Sequence, residues 1–231
     1  MNSYSDTCQE KSLDFLTEDN VAMCLRLPLS MSLDMAKTIA SFSRKQGIDA
    51  LFCSGTIPRR LLPVLAPLPL ILHTTETVTD ILPQISEMVS GIWHDNPTGG
   101  IRIGSLNPAE IAWQEVIEYM HLRGKKDYLV SFDTSVSHKF DERLKQLAGW
   151  TGGMVLTAGR KGIIPTLETV QRASELAPHC PLFINSSLQE VDAYLPYLNG
   201  VIIVLTRSNW DASQVGKYVA DLKQKIKTLP N

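Results

Sequence analysis

An alternation repeated eight times restricts this chain's fold more than any other feature: a short apolar run, then a segment with helical spacing. The runs are VAMCLRL at 21–27, IDALFC at 48–53, PLILH at 69–73, GIRIGS at 100–105, DYLVSFD at 127–133, GMVLT at 153–157, PLFIN at 181–185 and GVIIVLT at 200–206. Most are near-continuous stretches of Val, Ile and Leu. A parallel sheet covered on both faces requires this, because neither face meets water. Eight such strands, each followed by a helix, fit a single (β/α)8 TIM barrel at 231 residues. The rival is an open doubly wound sheet, which turns on glycines after its first strand. LRLPLSMS at 25–32 has none.

Helix signals support the alternation. Ser32 stands before Leu33, Ala36, Ile39 and Ala40 at helical spacing, and Gly47 ends that segment. Asn107 and Pro108 open the segment at 107–124 and Gly124 closes it. Further helices are expected after Pro58 and at 76–89, 139–148, 165–177, 188–195 and 212–227. WHDNPTGG at 93–100 reads as a loop within the barrel. The barrel domain is expected over 21–231, with residues 1–20 a polar segment outside it whose order or disorder the sequence leaves open.

Composition excludes several classes. The net charge is −2, whereas a phosphate-backbone binder presents a basic face, so no nucleic-acid partner is expected. KQKIK near the C-terminus reads as a solvated helix face. Cys8, Cys24, Cys53 and Cys180 form no CxxC pair, which argues against zinc and against a disulfide framework. No apolar stretch reaches the roughly 18 residues of a membrane span. MNSYSDTCQEKSLDF has no signal-peptide core, so a cytoplasmic protein is expected. Trp93, Trp113 and Trp210 are expected to pack between helices and barrel; a surface patch would instead mark a partner site.

A barrel carries its functional groups on the loops that follow its strands. Those exits read Cys53-Ser54-Gly55, His73-Thr74-Thr75, Gly104-Ser105, Asp133-Thr134 with His138, Thr157-Ala158-Gly159-Arg160-Lys161, Asn185-Ser186-Ser187 and Thr206-Arg207-Ser208. All are small or polar, so a hydrophilic mouth is expected. Barrels commonly hold phosphate on the loops after strands seven and eight. The candidate ligand-binding residues are therefore Arg160, Lys161, Asn185, Ser186, Ser187 and Arg207. The last two loops lack glycine, which gives the closest backbone approach. Ordinary caps and solvated cations stay open as the alternative.

The candidate catalytic residues are Asp133, His138 and His73. An Asp and a His on one loop can serve as acid and base, or as metal ligands beside a third group such as His73. Against this, Asp133 and Ser135 can simply bond the local backbone of a turn. The spacing assigns no metal and no cofactor.

SFDTSVSHKF at 131–140 resembles the segment of BtpA-type proteins (the BtpA/SgcQ family) that reads Ala-Asp-Val-x-Val-Lys-His. Asp133, Val136 and His138 match, and Ser137 replaces the lysine. TAGRKGIIP at 157–165 is similar to that family's Thr-Gly-x-x-Thr-Gly and following proline through Thr157, Gly162 and Pro165, while Ala158 and Lys161 depart. The stretch at 181–206 resembles its strand, Gly-Ser-Gly loop, helix and final strand, with Asn185-Ser186-Ser187 in place of the glycine loop. IRIGS at 101–105 is similar to an earlier strand, Ile-Arg-Val-Asn. The resemblance spans 101–227, and the first hundred residues lack the family's His-Leu-Pro-Pro-Leu-Pro-Gly opening. It implies kinship with phosphate-binding barrel enzymes, in a family linked to photosystem I biogenesis or to sugar-utilisation operons.

The expectation is a barrel that binds a small phosphorylated or polyhydroxylated ligand at its C-terminal face, with an isomerase- or lyase-type step within its means. The alternative is a catalytically degenerate barrel that acts in assembly or binds a partner protein. A weaker third reading, a degenerate phosphoribosyl-type isomerase, rests on SGTIPRRL at 54–61 with Arg59 and Arg60. A homo-oligomer is compatible with the sequence, which sets no oligomeric state.

Overall fold

The computed structural model describes residues 13, 15–16, 21–54, 58–74, 89–94, 127–135, 139–149, 151–158 and 163–229. Eight parallel strands close into a barrel in sequence order: β1 (Ala22–Arg26), β2 (Ala50–Ser54), β3 (Leu70–Thr74), β4 (Gly91–His94), β5 (Asp127–Asp133), β6 (Gly153–Thr157), β7 (Leu182–Ser186) and β8 (Gly200–Val204). Closure comes from β8 pairing with β1, Ala22 opposite Gly200 and Arg26 opposite Val204. The (β/α)8 expectation holds.

One strand is misplaced in the sequence reading. The fourth barrel position belongs to Gly91–His94, paired with β3 and β5, and not to GIRIGS at 100–105, which lies outside the described residues. GIWH is four residues long and runs into the turn-rich stretch, so its apolar signal is weak. Its neighbours supply the order: Ile71 pairs with Gly91, and Trp93 with Leu129.

The helices follow their local chemistry. Ser32 Oγ accepts from Met35 N at 3.1 Å to open Leu33–Gln46, and Gly47 closes it at φ 60°, a conformation glycine takes without strain. Past Pro58, a 3-10 turn (Arg59–Leu61) runs into Leu62–Leu65. Phe140–Ala148, Leu167–Leu176 and Ala212–Ile226 occupy the expected places, the last two capped by Thr166 and Asp211. The helix expected at 188–195 is instead a 3-10 helix at Asp192–Tyr197. Pro196 inside it lacks the N–H that an α-helical turn needs, and Leu188 takes a left-handed φ of 62° just upstream.

Register decides which side chains meet inside the barrel. Followed once around, the ladder slips by about eight residues, the shear of this fold, so side chains from alternate strands share a level. The lowest complete level holds Ala50, Gly91, Gly153 and Gly200, which is nearly empty of side chain. Above it come Cys24, Ile71, Leu129 and Phe183, then Phe52, Trp93, Val155 and Ile202. All eight are buried.

Two N-terminal residues use the space left by that empty level. Leu13 and Phe15, within the segment expected to stand apart, are buried against the barrel interior. The Phe15 ring lies 6.4 Å from Phe52 and 6.1 Å from Phe183. A Cβ on Gly153 would stand 3.2 Å from Leu13 Cδ1, and one on Gly200 would collide with the Phe183 ring. The missing side chains at the strand starts make room for a hydrophobic plug.

Outside the strands, a second apolar layer fills the space beneath the helices. It contains Cys53 and Cys180, and burial pushes the Cys53 thiol up to about 12, so it stays protonated. Trp210 packs edge-on against Phe42 at 5.3 Å. Trp93 is inside the barrel, so it forms no surface patch; Trp113 lies outside the described residues. No helix among the described residues is long and apolar enough to cross a membrane.

Asp49 joins the first two strands: its Oδ2 accepts from Met23 N at 2.7 Å. Burial raises its carboxyl above the ordinary value of 3.8, against the lowering effects of the Met23 N–H and Lys223. The folded state therefore holds this proton more tightly than the unfolded chain. The stability it contributes is complete below about pH 4 and is lost as pH rises through the raised folded value. Asp49→Asn is expected to raise the melting temperature at pH 7.5 and to change it little at pH 4. Melts at the two pH values check this, and an equal shift at both would show that the carboxylate carries no burial penalty.

Candidate functional site: a polar level in the barrel mouth

The next level up breaks with the apolar interior. It consists of Arg26 from β1, His73 from β3, Ser131 from β5 and Asn185 from β7, all on the inward rows of their strands. A polar level at this height, toward the strands' C-terminal ends, is where barrel chemistry is built.

Trp93, one level below, is its platform. The indole packs edge-on against Phe52 at 5.6 Å, and its Nε1 donates to Ser131 Oγ at 3.0 Å, which fixes the ring's orientation. His73, only 7% exposed, lies with its ring centroid 4.2 Å from that of Trp93. The Arg26 guanidinium carbon stands 5.1 Å from the Trp93 ring centroid, a cation–π contact. Arg26 Nη2 is 3.2 Å from His73 Nδ1. Arginine only donates, so Nδ1 must offer its lone pair and the imidazole carries its proton on Nε2. A cation is thus held in a set orientation, by an indole and an imidazole, at the floor of the mouth.

Arg26 is the residue that the sequence reading missed. Its signal was available: an arginine in VAMCLRL on the inward row of a strand covered on both faces. Strand exits alone do not reveal it, because Arg26 is the last inward position within β1.

The structure distributes the other candidates. Asp133 continues the inward row of β5 at the rim. Its Oδ1 accepts from Ser135 N at 2.9 Å and from Ser135 Oγ at 2.7 Å, the local turn that competed with a catalytic role. His73 and Asn185 belong to the polar level. Ser186 faces outward, fully buried, with its Oγ 2.8 Å from Tyr218 Oη and accepting from Gln189 N at 3.1 Å. Its hydroxyl ties β7 to the last helix. Ser187 is exposed on the following loop. Arg207 is also exposed, and its Nε donates to the Ser30 carbonyl at 3.1 Å, joining the loops after β8 and β1. Within the β8 loop, Asn209 N donates to Thr206 Oγ1 and Asn209 Nδ2 to the Val204 carbonyl. His138, Arg160 and Lys161 lie outside the described residues.

No protein-family model matches the chain, and no curated protein matches it in sequence. Solved structures do match in shape. The (S)-3-O-geranylgeranylglyceryl phosphate synthase of Thermoplasma acidophilum, in complex with sn-glycerol-1-phosphate, aligns at TM-score 0.62 and 14% identity, over 92% of this chain and 95% of that one. Tryptophan synthase from M. tuberculosis aligns at TM-score 0.61 and 13% identity, over 90% and 93%. A truncated 3-deoxy-D-arabino-heptulosonate 7-phosphate synthase from Thermotoga maritima aligns at TM-score 0.59 and 13% identity, over 90% and 87%. At such identities the likeness speaks for architecture alone: the chain is an eight-stranded parallel TIM barrel of the kind that aldolases and synthases use.

Proposed function

We propose that this is a cytoplasmic barrel protein that binds a small phosphorylated ligand in its C-terminal mouth, with Arg26 as the anion contact. The observation that carries the reading is the polar level of Arg26, His73, Ser131 and Asn185 set on the Trp93 platform. A guanidinium offers five donors in a rigid fork suited to phosphate, and here two aromatic partners hold that fork before a ligand arrives. Several structural neighbours are named for phosphorylated compounds, one of them with sn-glycerol-1-phosphate bound, which supports the ligand class. An isomerase- or lyase-type step would draw on His73 and on Asp133 at the rim. The BtpA-type resemblance of the second half agrees with this ligand class and adds no residue to the polar level beyond Asn185.

A second reading has its own observation. Leu29 is 69% exposed on the loop after β1, and Ile163 is exposed between β6 and the Leu167–Leu176 helix. Apolar residues on the mouth side suit a non-catalytic barrel that docks a partner protein.

The deciding experiment is a thermal-shift series with inorganic phosphate, sulfate and sugar phosphates. A ligand at a hundred times its Kd stabilises by about 2.7 kcal/mol, a rise of roughly 5–10 °C for a chain of this size. Arg26→Ala should weaken the responding phosphate compound by about 1.5–3 kcal/mol, the range of a hydrogen bond to a charged group. A flat series, or an unchanged response in Arg26→Ala, would move the protein to the partner-binding reading.

A further inference from the structure

Asn185 brings to the polar level a side-chain carbonyl oxygen that the fold leaves unused. Its Oδ1 is buried and meets no hydrogen-bond donor among the described residues. Its level-mates are engaged, Arg26 with His73 and Ser131 with Trp93. Native interiors keep few such orphans, and each calls for an explanation. A leucine of similar size would fill the same space at no polar cost, so the amide is best accounted for by a donor that arrives with the ligand.

Position narrows what that donor is. In the order of the level, β7 stands next to β1, so a small molecule seated on Arg26 also faces Asn185. An ammonium group would satisfy the Oδ1 lone pair but would sit beside the like charge of Arg26. A hydroxyl satisfies it without that repulsion. Resting on the phosphate-binding reading above, we infer that the ligand is a hydroxylated phosphate ester, a polyol or sugar phosphate, whose hydroxyl donates to Asn185 Oδ1 while its phosphate meets Arg26. Asn185 then sets specificity, and its place is inside the barrel, not in the phosphate loop where its sequence position put it.

Titration calorimetry on the full chain tests this with glycerol 1-phosphate and propyl phosphate, two esters of equal chain length of which the second lacks the hydroxyls. The intact protein is expected to bind glycerol 1-phosphate about tenfold to a hundredfold more tightly, the penalty for leaving a buried polar group unpaired. Asn185→Leu should abolish that preference and leave propyl phosphate binding intact. Asn185→Ala, with folding verified by circular dichroism, serves if the leucine variant does not fold. Equal affinity of the intact protein for the two esters overturns the hydroxyl contact, while loss of both in Arg26→Ala keeps the phosphate reading standing. A preference that survives in both Asn185 variants overturns the role of Asn185. Binding of neither ester overturns both readings together.

Discussion

Trp93→Ala is expected to lower stability by roughly 3–5 kcal/mol, the range for removing a buried tryptophan, and to abolish phosphate binding in the molecules that still fold. The two losses share one cause. The indole is the largest fully buried side chain among the described residues and sits in a closed interior level, where neighbouring strands cannot collapse inward without breaking their ladders, so most of the cavity remains. The same ring supports the Arg26 guanidinium and the His73 imidazole from below. Urea unfolding measures the first loss and thermal shift with phosphate the second. Trp93→Phe separates them: it keeps most of the buried area but has no N–H for Ser131 Oγ. Its stability should fall between the intact protein and the alanine variant. A Trp93→Ala protein that binds phosphate normally would show that the platform has no part in the site.

The second large effect concerns the other end of the barrel. Leu13→Ala with Phe15→Ala is expected to cost at least about 4 kcal/mol, since single truncations of buried Leu and Phe cost about 2–5 and 3–5 kcal/mol and contacting residues do not add simply. That is a large share of the roughly 5–15 kcal/mol a native domain possesses. Phe15 touches Phe52 and Phe183, and Leu13 covers Gly153, so the double variant uncovers a level whose only side chain is the Ala50 methyl group. Denaturant melts read the loss directly. A near-neutral result would mean that the two residues merely rest against the barrel floor.

The architecture was legible because covering a parallel sheet on both faces forces continuous apolar runs, and seven of the eight were long enough to recognise. β4 escaped because Gly91–His94 offers only two large apolar residues before the chain turns polar. The helix after β7 escaped because its leucine spacing is helical while Pro196 permits only a 3-10 turn. The candidate polar level was half legible. His73 and Asn185 were visible as polar strand ends, but Arg26 was hidden within an apolar run, and Ser186 was misplaced because exit position alone does not say which way a side chain faces. The plug was missed for a related reason. Leu13 and Phe15 look incidental in a polar stretch until Gly91, Gly153 and Gly200 are seen to align, and that alignment exists only once register is known.

Closure of the barrel through β1 and β8 also has a consequence for how the chain is made. Ala22 pairs with Gly200, 178 positions later in synthesis. At a translation rate of about 5–20 residues per second, the first strand emerges from the ribosome roughly 10–35 seconds before its partner exists. For that interval one edge of β1 has no neighbour, and the plug residues have no finished floor to enter, since Gly200 belongs to the last strand. The nascent protein therefore carries an open, apolar sheet until β8 emerges. Demand for chaperones should be set by how quickly β8 follows β7, more than by anything in the completed mouth.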